Sequence, residues 1–217
     1  MTTIDHISGG RVELGIGAGW PGENRRYGID FWKRRERVER LDEALQVIEL
    51  LWTQPKPRFE GRYYRLNEPP YSPPNVQQPR PPILVGGGSD GMLRIIARHA
   101  DKASPMIDVR EAMAKVEGYC REIGRDPKEI RWVGGGGMFL NDDPAQQQRA
   151  RAWVVQQYGE TDSQLLLGDF FGSADDVRAG ARRQIALGID EIIVFQLPRL
   201  HLKSVMRFSD EVIPAAG

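Results

Sequence analysis

The chain is 217 residues long, enough for one domain with a substantial core. Its 30 basic and 30 acidic residues cancel to a formal net charge of zero, so nothing points to nucleic acid or to an anionic membrane. A single cysteine, Cys120, excludes a disulfide framework and a cysteine-built metal site, and fits a reducing cytoplasm.

No run of about 18 apolar residues is present, so no membrane-spanning helix is expected. The start, MTTIDHISGG, lacks the basic and apolar regions of a signal peptide. Cys120 is expected to pack on one side of a helix, in a structural role.

In chain order, Val12–Gly17 reads as a buried strand that runs out into Gly15, Gly17 and Gly19. Glycine at a strand mouth lets a flat ligand approach the backbone closely. Phe31–Trp52 reads as an amphipathic helix, because Val38, Leu41, Leu45, Ile48 and Trp52 recur at steps of three and four. Its other face carries Arg34, Arg37, Glu39, Arg40, Asp42 and Glu43, which reads as a solvated face of i,i+4 pairs. Residues 55–82 hold nine of the fifteen prolines and read as an extended arm with a hairpin over Phe59–Tyr64. An arm of this length suits a lid or a partner-contacting loop.

Ile83–Val85 is the second strand, followed by the turn Gly86-Gly87-Gly88 and a helix through Arg98 capped by Ser89 or Asp90. Ala103–Ile107 is a weak third strand, and Val109–Ile123 a helix stopped by Gly124. Arg131–Leu140 is a strand interrupted by Gly134–Gly137. Asp143-Pro144 opens the next helix. Ser173 to Asp176 has the spacing of a capping box for a helix to Gly188. Asp190–Leu197 is the last strand, and His201–Val212 closes the chain. Strands alternating with helices argue for an α/β fold with a parallel sheet.

The best anion site is the Gly86–Ser89 turn, where glycine N–H groups converge with the positive end of a helix. The same turn also reads as a plain strand-to-helix connection. A dinucleotide fingerprint would need glycine at position 20, where Trp20 stands, and no Gly-Lys-Ser/Thr follows Gly86–Gly88. His6, His99 and His201 are scattered without ligand spacing, so no metal is expected, and they read as surface or capping residues. Trp20 and Tyr27 are aromatic enough to flank a ring, or to pack at a rim. Glu23 follows the first strand's mouth, where barrel enzymes keep their chemistry, and is the candidate catalytic carboxylate.

Several segments, in order, resemble the bacterial luciferase-like family of flavin- and coenzyme F420-dependent oxidoreductases. IDHISGGRVELGIGAGW looks like its fourth strand, and YGIDFWKRRERVERLDEALQVIELLW like the helix after it. FEGRYYRL and the proline arm look like its mobile insertion. PPILVGGGSDGMLRIIARHAD looks like its fifth strand and phosphate turn, and GSADDVRAGARRQIALGIDEIIVFQLP like its last α–β unit. Lys102–Pro105 departs from the Gly-Trp-Asn often found there.

The resemblance implies one domain, residues 1–217, of the TIM (β/α)8-barrel type. It is incomplete, with about five βα units and the first three missing. It implies FMN or coenzyme F420, with the phosphate on Gly86, Gly87, Gly88 and Ser89 and the ring over Gly17, Ala18, Gly19 and Trp20. The implied activity is cytoplasmic hydride transfer, or monooxygenation, on a small organic molecule. An unclosed sheet exposes the edge of Val12–Gly17, which implies a homo-oligomer or pairing with another chain. A non-catalytic remnant that binds phosphate, flavin or a partner is the alternative reading. A sugar-phosphate or nucleotide binder using the Gly86–Ser89 turn is a third.

Overall fold

The computed structural model of the chain describes residues 1–19, 27–28, 31–197 and 202–216, which fall into two units, 1–131 and 132–217. The first begins with a helix that sequence patterning does not announce, α1 (Thr2–Ser8), closed by Gly9 in the left-handed region. Seven residues make too few turns to display a period. Strand β1 (Leu14–Ile16) follows, then helix α2 (Arg34–Thr53) and the hairpin β2 (Arg58–Glu60) and β3 (Arg65–Asn67). Strand β4 (Ile83–Gly86), helix α3 (Asp90–His99), strand β5 (Lys102–Ser104) and helix α4 (Val109–Ile123) complete the unit.

Strands β1, β4 and β5 are parallel, in that order, with Ile16 opposite Val85 and Val85 opposite Ala103. The core sits between this sheet and its helices. Ile83, Val85, Leu93, Ile95 and Ile96 are wholly buried, each contributing roughly 1.5–3 kcal/mol relative to exposure. That explains why α3 reads as almost continuously apolar on one side. The third strand lies earlier than expected, at Lys102–Ser104 rather than Ala103–Ile107, because Ser104 O accepts the N–H of Gly87 and Asp101 N–H reaches Ile83 O.

Two carboxylates hold the proline arm. Glu43 of α2 accepts the backbone N–H groups of Arg62 (2.9 Å), Tyr63 (2.8 Å) and Tyr64 (3.1 Å), which fixes the hairpin turn against α2. Asp5 of α1 is buried and accepts from Val76 N, Gln77 N and the Gln77 side chain. Burial alone would raise the pKa of Asp5, but these donors outweigh it and hold the group below the ordinary carboxylate value. The arm's two ends are thus tied to helices of the same unit.

In the second unit, strand β6 (Arg131–Leu140) pairs in parallel with both β7 (Phe171–Gly172) and β8 (Glu191–Gln196). The glycine run does not interrupt β6. A side chain on Gly135, at φ 131°, would place Cβ 1.8 Å from Ile193 O, so glycine is what lets β8 approach. Helix α5 (Pro144–Leu166) is capped by Asp143 and breaks its regular backbone at Gly159. Helix α6 (Ala174–Ala186) carries the complete Ser173–Asp176 capping box. Helix α7 (Leu202–Arg207), a π-helical turn (Phe208–Val212) and helix α8 (Ile213–Ala216) follow. Met138, Leu140, Phe170, Val177, Ala181 and Val212 form this unit's core.

The described residues therefore hold six parallel strands, one more than the sequence suggests. The addition is β7, whose two residues are too short for alternation to register. A closed (β/α)8 barrel has eight.

Candidate cofactor site

The pairing of β1 with β4 sets Ile16 beside Val85, so the two glycine segments leave the sheet side by side at the C-terminal ends of their strands. A Cβ on Gly17 would lie 3.4 Å from Gly86 O, a direct measure of that approach. Gly17, Ala18 and Gly19 are described there. Trp20 and Glu23 lie outside the described residues, and Tyr27 is exposed.

The Gly86–Ser89 turn is built tightly. Gly87 donates to Ser104 O at 3.2 Å and accepts from Met106 N at 3.4 Å. Its φ of 143° is one that L side chains rarely adopt, and a Cβ would meet Met92 Cγ at 2.9 Å. Of the two expected caps, Ser89 is the one used: its hydroxyl accepts from Met92 N at 3.3 Å. Among the described residues, no acceptor meets the backbone N–H groups of Gly88, Ser89, Asp90 or Gly91. Four consecutive free donors at the positive end of a helix suit the phosphate that both FMN and F420 carry.

A cavity of about 510 Å³ lies over that turn, lined by Ser89, Asp90 and Gly91 and by Arg34, Arg35, Val38 and Glu39 of α2. Glu39 is engaged by the Tyr63 hydroxyl (2.6 Å) and by Arg62 (3.1 Å). Arg35 also pairs with Glu39, whereas Arg34 has no ion-pair partner among the described residues. Sequence reasoning placed this charge run on a solvated face. Its nearness to the Gly86–Ser89 turn follows from helix packing, where Val38 lies against Gly91, and no local pattern encodes that.

His99 is a second departure. It is buried, not a surface or capping residue, with Nε2 3.1 Å from Asp42 and Nδ1 3.4 Å from Glu49. Burial disfavours its charge, but the two carboxylates outweigh that and raise its pKa. His6 contacts Pro74 O, and His201 lies outside the described residues. Cys120 is buried, which pushes its thiol pKa up, as suits a packing role. Among the described residues there is no cluster of metal-ligating side chains and no helix long and apolar enough to cross a membrane.

The sequence profile of the luciferase-like monooxygenase family matches residues 1–209. The FMNH2-dependent dimethylsulfone monooxygenase of Pseudomonas putida is 33% identical over 135 residues, which cover 57% of this chain and 37% of that protein. The F420-dependent glucose-6-phosphate dehydrogenase of Kineococcus radiotolerans is 37% identical over 102 residues, covering 46% of this chain and 29% of that protein. Against the curated relatives compared, the chain spans 29% to 62% of their length. Among solved structures, an F420-dependent secondary alcohol dehydrogenase in complex with an F420-acetone adduct superposes on all of this chain and 73% of its own. Its TM-score is 0.81 at 19% identity, a likeness of fold. The fold is thus of the TIM-barrel type, and the chain belongs to the luciferase-like monooxygenase family.

Proposed function

We propose that this chain binds FMN or coenzyme F420 and serves as an oxidoreductase on a small organic molecule. The observation that carries the reading is the juxtaposition of two glycine strand mouths, one of which opens onto four backbone N–H groups that meet no acceptor among the described residues. Gly86, Gly87, Gly88 and Ser89 hold the phosphate, with Arg34, which has no ion-pair partner among the described residues, supplying charge that the turn itself lacks. Gly17, Ala18 and Gly19 present backbone to the ring, where large side chains would keep it away, and Trp20, read with them from the sequence, lies outside the described residues. Once bound, the cofactor supplies hydride transfer at its ring, while the protein positions it.

Arg37 steadies the ring segment: its guanidinium donates to Ala18 O at 2.8 Å and Gly19 O at 3.0 Å. Glu23, the first carboxylate after the β1 mouth, is the catalytic carboxylate of this proposal, and it lies outside the described residues. Strand β1 pairs with β4 alone among the described residues, so association of its other edge with a second polypeptide belongs to the same proposal.

The test compares FMN with riboflavin, which has the same ring and no phosphate, by fluorescence titration. If the turn holds the phosphate, FMN binds at least about tenfold more tightly, a difference of about 1.4 kcal/mol. Equal affinities would remove the phosphate from Gly86–Ser89. Binding without turnover on any substrate would favour the non-catalytic alternative.

A further inference from the structure

A second cavity, of about 280 Å³, lies beside Gly17–Gly19 on the α2 side. Its walls include the rings of Phe31, Trp32 and Tyr64 and two guanidinium groups, Arg37 and Arg40. None of the described residues lining it is acidic.

The two arginines differ. Arg40 is neutralised by Glu36 at 2.9 Å and stacks between Trp32 (4.0 Å) and Tyr63 (4.4 Å). Arg37 has no carboxylate partner among the described residues. It lies over the Phe31 ring at 3.9 Å, and its partners are three backbone carbonyls: Trp32 O on Nε, and Ala18 O and Gly19 O on Nη1. A guanidinium has five donors in a planar fork. The two on Nη2 meet no acceptor among the described residues. A partly buried cation that meets only carbonyl dipoles among the described residues, in an aromatic cavity whose described walls hold no acid, is matched by an anion carrying an apolar body.

We propose that this cavity binds a small organic anion, a carboxylate or sulfonate of aromatic or branched apolar body, with the acid on Arg37 and the body against Phe31, Trp32 and Tyr64. That the anion is the substrate rests on the functional reading above, because the cavity shares Gly17–Gly19 with the segment assigned to the ring. The binding site itself does not rest on that reading.

The probes are benzoate and its neutral isostere benzamide, titrated into the cofactor-free protein while Trp fluorescence is followed. Benzoate is expected to bind at least about tenfold more tightly than benzamide, as a charge-assisted pair replaces a neutral one. Trp32→Phe should remove most of the signal, and Arg37→Gln, checked by circular dichroism, should abolish the preference for the anion. The probe comparison uses the unaltered protein, so it stands even if Arg37→Gln fails to fold. Equal binding of the two probes, or no binding of either, overturns the proposal. Repeating the benzoate titration with saturating FMN or F420 separates the two claims. Benzoate binding without any cofactor binding sinks the functional reading and leaves the anion site. Complete displacement of benzoate by the cofactor overturns a site separate from the ring.

Discussion

Replacing Gly87 with valine is expected to abolish cofactor binding, lowering affinity for FMN or F420 at least about 100-fold, which corresponds to about 2.7 kcal/mol. The reason is geometric. Gly87 sits at φ 143°, and a Cβ there would press within 2.9 Å of Met92 Cγ. Strain of this kind costs about 1–3 kcal/mol, and the turn relieves it by rotating the N–H groups that would otherwise face the phosphate. Because Gly87→Val also destabilises the fold, Gly17→Val is its companion. Gly17 has an ordinary φ, and its Cβ would meet only Gly86 O, at 3.4 Å, so the strand end gives slightly and the unit stays folded. The valine methyls then stand where the ring would lie, and affinity should fall at least about tenfold. Fluorescence titration with circular dichroism on the same samples checks both. A folded Gly17→Val protein that binds like the unaltered chain would refute the ring placement.

The second large effect concerns pH and the clasp between α2 and α3. His99 of α3 reaches Asp42 and Glu49 of α2, Arg98 pairs with Asp42 at 2.9 Å, and Arg80 lies 3.5 Å from Glu49 and also pairs with Asp101. With both ring nitrogens facing carboxylates, the charged form of His99 is favoured over what burial alone would allow, and its pKa is raised. A raised pKa contributes stability that is fully present below the unfolded value, about 6.5 for histidine, and is lost as pH rises through the folded value. Asp42 titrates in the opposite sense. Burial would raise its pKa, but His99 and Arg98 together lower it, so its contribution is lost as pH falls through the folded value. The first unit should therefore melt highest in mildly acidic solution and lose stability on the alkaline side. His99→Ala leaves Asp42 with Arg98 and Glu49 with Arg80. Because both carboxylates keep an arginine, we expect a cost below the roughly 3–5 kcal/mol of an uncompensated buried charge, about 2 kcal/mol. The matching fall in Tm is about 4–8 °C, with the alkaline decline flattened. Thermal melts across pH, for both proteins, test this. An unchanged alkaline limb in His99→Ala would show that another group sets it.

Much of the fold is written in local pattern. Helix Val109–Ile123 and strand Arg131–Leu140 have the expected bounds, because Asp108 and Gly124 cap the first and an apolar run ends the second. The Ser173–Asp176 box forms as its spacing dictates. What escaped was either too short to be periodic, as with α1 and β7, or dependent on packing between elements. The glycines of β6 looked like a break, yet they admit β8. The charged face of α2 keeps the expected exposure at Arg34 and the i,i+4 pairs Arg35–Glu39 and Arg40–Glu36, yet Asp42 takes up a buried histidine and Arg37 lines a cavity.

The candidate site divides in the same way. Glycine placement at the two strand mouths is a local signal, because only glycine tolerates a tight turn or a close backbone approach. Which arginine faces the turn depends on the rotation of α2, which a charge pattern spread around much of the helix does not specify. The departure at Lys102–Pro105 is accommodated within β5, where Ser104 uses its carbonyl, not its side chain, to hold Gly87. That contact is made by the backbone and is open to almost any residue type.

The most direct test of the cofactor site is a set of amide ¹H–¹⁵N spectra of labelled protein titrated with FMN and with F420. The account predicts saturable shifts at Gly88, Ser89, Asp90 and Gly91, from the phosphate, together with shifts at Gly17 and Gly19, from the ring. Shifts confined to other residues, or none with either cofactor, would contradict it.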